Sequence, residues 1–592
     1  MIEDPNDRRL ARRASGLLGA FNAADMLNAA DVHVATRLGS LLDVDGDDVL
    51  LAAALAVRAV RTGSVCVDLA TVAEQPLEQD PEVELAWPDG TGWTDRVAAS
   101  AFVTESVLRV DDGRLYLDRY WREEGDVCAD LLRRLDREPP TVDDTTLDTA
   151  LDRVFPASGY EEQRAVARAA SSRWLTVLTG GPGTGKTTTV AGLLALVAEQ
   201  HEIEHGRPPR IAMCAPTAKA SARLQEAVAV ATASLAPIDR ERLGPIPSTT
   251  LHRLLGWRPG SGVRFRHDRD NRLPHDVVVV DETSMVSLTL MARLLEAMRP
   301  SARLVLVGDA DQLSSIEAGA VLADIVRGLE HHSTAPVSRL TQTHRFGRHI
   351  GALADALRLG HADAAVEIVR AGHDEVELID PDDGRAMTAF RHAIRDAALA
   401  VREAAIEADS AGAVDALDGH RLLCAHREGR FGVNGWNREV ERLVSDVTGI
   451  VHYQEWYAGR PVLVTANDHI LGVYNGDIGV TILRPDGRLA VALAGSAGFR
   501  ELATTRLPEV QTMHAMTVHK SQGSQAKVVS IVMPPPESRL LTRELFYTAV
   551  TRAQDKVRIV GTETAIRDAI GRQVQRASGL AERLGASGPG DG

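Results

Sequence analysis

The sequence predicts an α/β protein with two parallel-sheet domains, a mainly helical N-terminal domain and a small β-barrel inserted in the second sheet domain. Three observations lead there. At residues 175–190 an apolar, β-branched run breaks into glycines and then into a helical pattern. From Tyr160 to about Phe346 strand and helix patterns alternate, as parallel strands with crossover helices require. The strand pattern returns at 421–425 and at 527–533, on either side of a β-rich stretch.

At roughly 150 residues per domain, a chain of 592 residues holds about four modules. Residues 1–145 show apolar helical spacing through Leu10 to Met26 and an Ala/Leu-rich stretch from Leu50 to Val60. Arg114-Leu-Tyr-Leu-Asp-Arg-Tyr-Trp121 reads as a short strand running into a helix around Cys128 to Arg137, and Glu138-Pro-Pro-Thr-Val-Asp-Asp144 as an acidic linker. Residues 146–350 hold strands expected at 175–179, 210–215, 276–281 and 303–308, interrupted at 257–274 by a Gly-rich turn with a basic bias. That excursion reads equally as a hairpin laid on nucleic acid or as a solvated loop. Residues 351–592 predict helices at 350–371 and 384–408, a strand at 421–425, and a barrel at about 450–510 marked by the turns Tyr474-Asn-Gly-Asp477 and Pro485-Asp-Gly-Arg488. The tail from Gly585 to Gly592 is expected to be disordered.

The composition, 44% hydrophobic and 25% charged, is that of a soluble globular protein. The acidic N-terminus has no apolar signal-like core, and the longest apolar run is too short to span a bilayer, so a cytoplasmic location without membrane contact is expected. Cys66, Cys128, Cys214 and Cys424 are scattered, which argues against a zinc ribbon or a disulfide framework. The net charge of −16 is unevenly placed: residues 1–150 hold 15 Arg and 30 Asp or Glu, and the remainder is nearly neutral. An acidic module repels DNA, so it is expected to face a protein, with the apolar stretches around Leu10–Met26 and Leu50–Val60 as surface to offer. A self-contained acidic cap is the alternative. Only five of the 66 basic residues are Lys, and Lys186, Lys219 and Lys520 all fall in motifs. A compact ammonium is kept where one phosphate oxygen must be met in tight space.

Gly180-Gly-Pro-Gly-Thr-Gly-Lys-Thr187 is a phosphate cradle. Gly180, Gly183 and Gly185 let backbone N–H groups wrap a polyphosphate, with Gly181, Pro182, Thr184 and Thr188 completing the contact set. Lys186 reaches the β- and γ-phosphates of ATP and the Thr187 hydroxyl holds Mg²⁺. Val277-Val-Val-Val-Asp-Glu282 reads as a buried strand ending in carboxylates that alternate in direction, Asp281 toward Mg²⁺ and Glu282 toward an attacking water. In Val307-Gly-Asp-Ala-Asp-Gln-Leu-Ser314, Gln312 is a candidate γ-phosphate sensor, and the alternative is a polar turn capped by Asp309 and Asp311. Gln163, at a helix start, can both donate to and accept from an adenine edge, unless it is simply an exposed helical Gln.

These motifs, with Ala215-Pro-Thr-Ala-Lys-Ala220, Ser248-Thr-Thr-Leu-His252, Leu340-Thr-Gln-Thr-His-Arg-Phe346, Ala515-Met-Thr-Val-His-Lys-Ser-Gln-Gly523 and Tyr547-Thr-Ala-Val-Thr-Arg552, resemble the ordered motifs of superfamily 1 helicases. Glu317-Ala-Gly-Ala-Val-Leu322, Tyr474-Asn-Gly-Asp-Ile-Gly479 and Val518-His-Lys-Ser-Gln522 are similar to the RecD group, the α subunits of exodeoxyribonuclease V, and Gly63-Ser-Val-Cys-Val-Asp-Leu69 and Leu115–Trp121 resemble it more loosely. The resemblance implies a 5′ to 3′ DNA motor with two RecA-like domains and an SH3-like barrel insertion. It implies ATP between the domains, with Arg345 and Arg552 as arginine fingers. Single-stranded DNA would be touched by Thr217, Lys219, Thr249, His252, Thr517, His519 and Lys520. Implied partners are single-stranded DNA, duplex ends, and the RecB and RecC subunits of a heterotrimer active in break repair and recombination. One departure is Gln525-Ala526, where many relatives place Glu after Ser-Gln-Gly-Ser. Other readings are a stand-alone RecD-like helicase, a nucleotide-locked structural subunit, and an RNA helicase. The first usually carries a longer N-terminal region, and the intact Lys186, Glu282 and Arg552 disfavour the second.

Overall fold

The structure, a computed structural model, describes residues 9–74, 85–156, 159–258, 264–315, 317–343, 347–450, 454–468, 471–495, 498–507, 509–574 and 576–586. The first motor sheet has six parallel strands in the order Ser248–Thr250, Ile211–Ala215, Val277–Val280, Arg303–Gly308, Leu175–Gly180 and Val337–Leu340. The strands Leu175–Gly180 and Val277–Val280 are buried end to end, as four consecutive valines at 277–280 demand when helices cover both faces of a parallel sheet. All four expected strands are present. The edge strands Ser248–Thr250 and Val337–Leu340 were not anticipated, because three or four half-buried, partly polar residues carry no periodic signal. In the basic excursion a single antiparallel bridge joins Trp257 to Phe265, and residues 259–263 lie outside the described residues.

The second motor sheet runs Val376–Ile379, Ala553–Val560, Ala526–Val532, His420–Cys424 and Ala515–Thr517, again all parallel. The helical stretch expected at 350–371 is divided into Arg348–Leu359 and Ala362–Arg370, and Gly384–Ile406 forms the long helix behind. Between His420–Cys424 and Ala515–Thr517 five antiparallel strands are inserted, ordered Gly498–Ala503, Leu489–Gly495, Ile478–Leu483, Pro461–Val464 and Val510–Thr512. Among the described residues this ladder is open. Its edge strands pair only inward, and Val510–Thr512 is three residues long, so the small SH3-like barrel expected from the sequence is not confirmed by it.

The N-terminal domain packs the helices Gly16–Ala23, Ala29–Leu42 and Asp47–Arg61 against a small antiparallel sheet of Cys66–Asp68, Arg114–Leu117 and Leu108–Asp111. Leu18, Phe21, Met26, Leu51 and Leu55 are buried in its own core around Trp93. The expectation that these apolar stretches offer surface to a partner is therefore corrected: the three helices cover one another, and helical spacing alone does not say what covers a face. The helix Asp118–Leu135 joins this domain to the first motor domain by packing on Leu288–Ala297. Buried Arg134 donates to the carbonyl oxygen of Ala302 at 2.6 Å, and Arg137 to that of Pro300 at 2.7 Å.

The chain ends by returning across the molecule. Ala577 exchanges backbone and side-chain hydrogen bonds with Ser64 and Val65, and the helix Leu580–Ala586 packs on Val321–Leu329 with Leu580 and Leu584 buried. Gly585 and Ala586, expected to be disordered, complete that helix, because Leu580 and Leu584 lie on one face and are taken up by the motor core. The rest of the tail lies outside the described residues. No helix among the described residues is long and apolar enough to cross a membrane, and all four cysteines are buried free thiols.

Candidate nucleotide site and nucleic-acid interface

The buried strand Leu175–Gly180 delivers the chain into the phosphate loop, and the 20-residue helix Lys186–His205 carries it away. Gly183 and Gly185 both adopt φ of +84°, a left-handed conformation that a side chain would strain. The loop therefore curls with its N–H groups and the helix N-terminus converging, the arrangement that binds phosphate. Lys186 Nζ lies within that curl and donates to the carbonyl oxygens of Gly180 at 2.6 Å and Gly181 at 2.9 Å. Thr184 Oγ1 pins the loop by donating to Gly181 O at 2.9 Å. Pro182 and Thr184 are buried, Thr187 is half-buried and Thr188 exposed. Gln163, in the first turn of Glu161–Ser171, is buried rather than exposed, and its amide donates to Thr184 O at 3.5 Å, against the loop itself.

The strand Val277–Val280 stops at Val280, so Asp281 and Glu282 do not alternate as strand residues, which corrects the sequence reading. Asp281 N still donates to Cys214 O at 2.9 Å, and then Glu282 turns to φ +50°; this left-handed step, not the strand pleat, separates the two carboxylates. Burial first and the adjacent Glu282 second push the Asp281 carboxyl upward, against the pull of Lys186. Asp281 lies close enough to Lys186 for the ammonium to pull on its carboxyl, and a carboxylate with a threonine hydroxyl is a hard-oxygen donor set of the kind that suits Mg²⁺, which needs few protein ligands. Thr187 and Asp281 would hold the ion, which when bound would neutralise charge on the β- and γ-phosphates.

Across the cleft, Arg552 is 4% exposed and fully engaged. It donates to Thr548 O at 3.0 Å, to Gln312 Oε1 at 3.1 Å, and at 3.4 Å to both Ser524 O and Thr551 Oγ1. Gln312 thus meets an arginine of the second motor domain. The contact is reinforced by Leu313, whose N–H donates to Thr548 Oγ1 at 2.9 Å and whose carbonyl accepts from Gln522 Nε2 at 2.8 Å. Arg345 lies outside the described residues. The segment before it is anchored by the Glu162 carboxylate, which accepts from the N–H groups of Thr341 at 3.0 Å and Gln342 at 3.2 Å. Arg339 and Arg358 line a cleft with Gly180, Gly181 and Tyr547, and none of these cleft cations was singled out by motif. Gln525, the departure from the family pattern, accepts from Gln554 Nε2 at 3.2 Å.

The residues expected to touch DNA gather at the C-terminal ends of the strands of both sheets. Thr217 and Thr517 occupy equivalent places, each capping the helix that follows a strand by accepting from the N–H of Ala220 and of Lys520. Thr249 is in an edge strand, and His252 lies 5.9 Å from the ring of Phe265. Burial lowers the imidazoles of His252 and His519, favouring neutral rings. Lys520 reaches Gln511 Oε1 at 3.5 Å. Lys219 differs: its ammonium nitrogen is sealed from solvent with no hydrogen-bond partner, though its stem is half-exposed. Burial, then Arg223 and Arg421, push it down to about 7.

Two parallel sheets that bring a phosphate loop and a buried arginine to one cleft define a P-loop motor of the helicase class. Residues 159–380 match the AAA domain family, residues 512–560 the UvrD-like helicase C-terminal domain, and residues 23–116 the N-terminal domain of the RecBCD enzyme subunit RecD. The RecBCD enzyme subunit RecD of Mycobacterium tuberculosis is 54% identical over 99% of this chain and 99% of its own length. That of Mycolicibacterium smegmatis is 55% identical over 97% and 100%. The ATP-dependent RecD2 DNA helicase of Deinococcus radiodurans is 34% identical over 80% of this chain and 59% of its own. The chain belongs to the RecD family of helicase subunits.

Proposed function

We propose that this chain is an ATP-dependent motor that moves 5′ to 3′ along single-stranded DNA as the helicase subunit of a RecBCD-type exodeoxyribonuclease V, processing duplex ends in cytoplasmic break repair and recombination. One observation carries the reading: Arg552 of the second motor domain hydrogen-bonds Gln312 of the first, 240 residues away in sequence and at the end of the strand beside the phosphate loop. Thr187 and Asp281 would hold Mg²⁺, which would neutralise charge on the phosphates, while Lys186 and Glu282 serve hydrolysis; loss of the γ-phosphate would change what Gln312 and Arg552 contact and so move one sheet against the other. Threonines and cations at the strand ends of both sheets suit phosphate contacts without base reading. Partner subunits, RecB and RecC in the resemblance, would dock on the acidic N-terminal domain.

The test is unwinding of forked duplexes bearing a 5′ or a 3′ tail, using the chain isolated with whatever subunits accompany it. Opening from the 5′ tail is expected. Opening only from the 3′ tail would overturn the polarity and with it the assignment.

A further inference from the structure

Asp309 follows the strand Arg303–Gly308, which pairs with the strand feeding the phosphate loop. One of its oxygens, Oδ2, accepts from both sides of the cleft: from Gln312 Nε2 at 2.9 Å and from the Tyr547 hydroxyl at 3.0 Å. Its other oxygen accepts from the Asp311 N–H at 3.1 Å. Asp309, Gln312 and Tyr547 are all buried, so the bonds of Asp309 to Gln312 and Tyr547 form without competing water. A side-chain amide has one acceptor end and one donor end. With its nitrogen on Asp309, Gln312 must turn its oxygen the other way, and there Arg552 donates at 3.1 Å. The flipped amide would set a carbonyl oxygen against the carboxylate and an NH₂ against the guanidinium, two repulsive contacts. The orientation of Gln312, and through it the acceptor for Arg552, is therefore set by Asp309. Asp309 in turn is held by Tyr547, whose hydroxyl also lies over the phosphate loop, 3.2 Å from where a Cβ on Gly181 would be. Burial and the nearby Asp309 hold this phenol far above its ordinary range, so it stays a donor.

We infer that Tyr547 is a positioning residue for phosphoryl transfer, acting through Asp309 to fix the Gln312 amide and hold Arg552 at the mouth of the phosphate loop. The inference rests on the ATPase reading above.

The test compares the full chain with Tyr547→Phe, Asp309→Ala and the pair, measuring steady-state ATP hydrolysis with oligo(dT) and the melting temperature of each. Tyr547→Phe keeps the ring and its packing, so it is expected to melt close to the unmodified chain while kcat falls about tenfold or more, as misplacing a catalytic group does. KM for ATP should stay within about twofold, because uniform binding of the triphosphate by the loop is untouched. The double variant should lose no more than the worse single one, since both act along one chain of bonds. A Tyr547→Phe kcat equal to the unmodified chain, a change in KM alone, a lowered melting temperature without loss of kcat, or losses that multiply in the pair would each overturn the inference. If the unmodified chain itself shows no DNA-stimulated hydrolysis, the ATPase reading fails and takes this inference with it.

Discussion

Lys186 is one of five lysines in a chain whose remaining 61 basic residues are arginines, and it stands where a point charge is required. Its ammonium donates to two loop carbonyls, which hold it at the base of the cradle. Lys186→Gln is expected to keep the fold and to lower DNA-stimulated ATP hydrolysis by on the order of 10³-fold, the scale of losing a cation on a transferring phosphoryl group. Retention of more than about a tenth of the rate would exclude this loop as the catalytic site. Arg552 shows the opposite requirement. Its guanidinium meets four acceptors in a fixed fork, which an ammonium cannot span, so Arg552→Lys should behave like a deletion rather than a conservative change, with kcat lowered at least about 10²-fold. A charge-only role would leave the lysine variant near full activity, and pre-steady-state hydrolysis distinguishes the two.

The C-terminal helix Leu580–Ala586 and the helix Asp118–Leu135 meet at a joint that holds two buried acids. Burial pushes Glu124 up to about 7 from an ordinary 4.5, and Asp324 up to about 6, with Arg583, Arg114 and Arg327 only partly compensating. Because the Glu124 pKa is raised on folding, the folded chain keeps a proton that the unfolded chain releases between about pH 4.5 and 7. Stability from this group is therefore present below that window and lost as pH rises through it, by up to roughly 3 kcal/mol. Glu124→Gln should raise the onset of thermal unfolding at about pH 8 and leave it nearly unchanged at about pH 4, below the window. An equal effect above and below the window would rule out titration as the cause. In the same joint Leu584 is 1% exposed, and Leu584→Ala should cost about 2–5 kcal/mol and make the linker near Glu138 more open to protease.

At the scale of the whole molecule the acidic N-terminal module is bound to the first motor domain twice, by its own last helix and by the end of the chain. Cutting the chain at Asp144 would uncover the packed face of Leu288–Ala297, so loss of assembly after truncation would say little about docking. Charge reversal on the exposed face is the cleaner test. Asp43, Asp45 and Asp95 are exposed, and Asp43→Lys/Asp45→Lys/Asp95→Lys should leave ATP hydrolysis intact while slowing assembly with partner subunits at least about tenfold at low salt. Unaltered association kinetics would assign the acidity to solubility instead.

Contiguous stretches carried most of what was legible before the structure. The all-valine strand at 277–280, the glycines of the phosphate loop and the alternating strand and helix patterns are local, and a buried parallel strand or a phosphate cradle needs no distant residue to declare itself. The sequence by itself thus determined the four inner strands of the first motor sheet, two strands of the second, the phosphate loop and the candidate carboxylates. What the tertiary structure alone decided rests on contacts between residues far apart, which leave no periodic trace. The left-handed turn at Glu282 replaced an expected pleat, the apolar face of Leu18–Met26 proved to be covered, and the inserted sheet is open among the described residues. Tyr547 and Asp309, 238 residues apart, became partners only because two separately legible sheets close on one cleft, and no spacing within either motif encodes the distance between them.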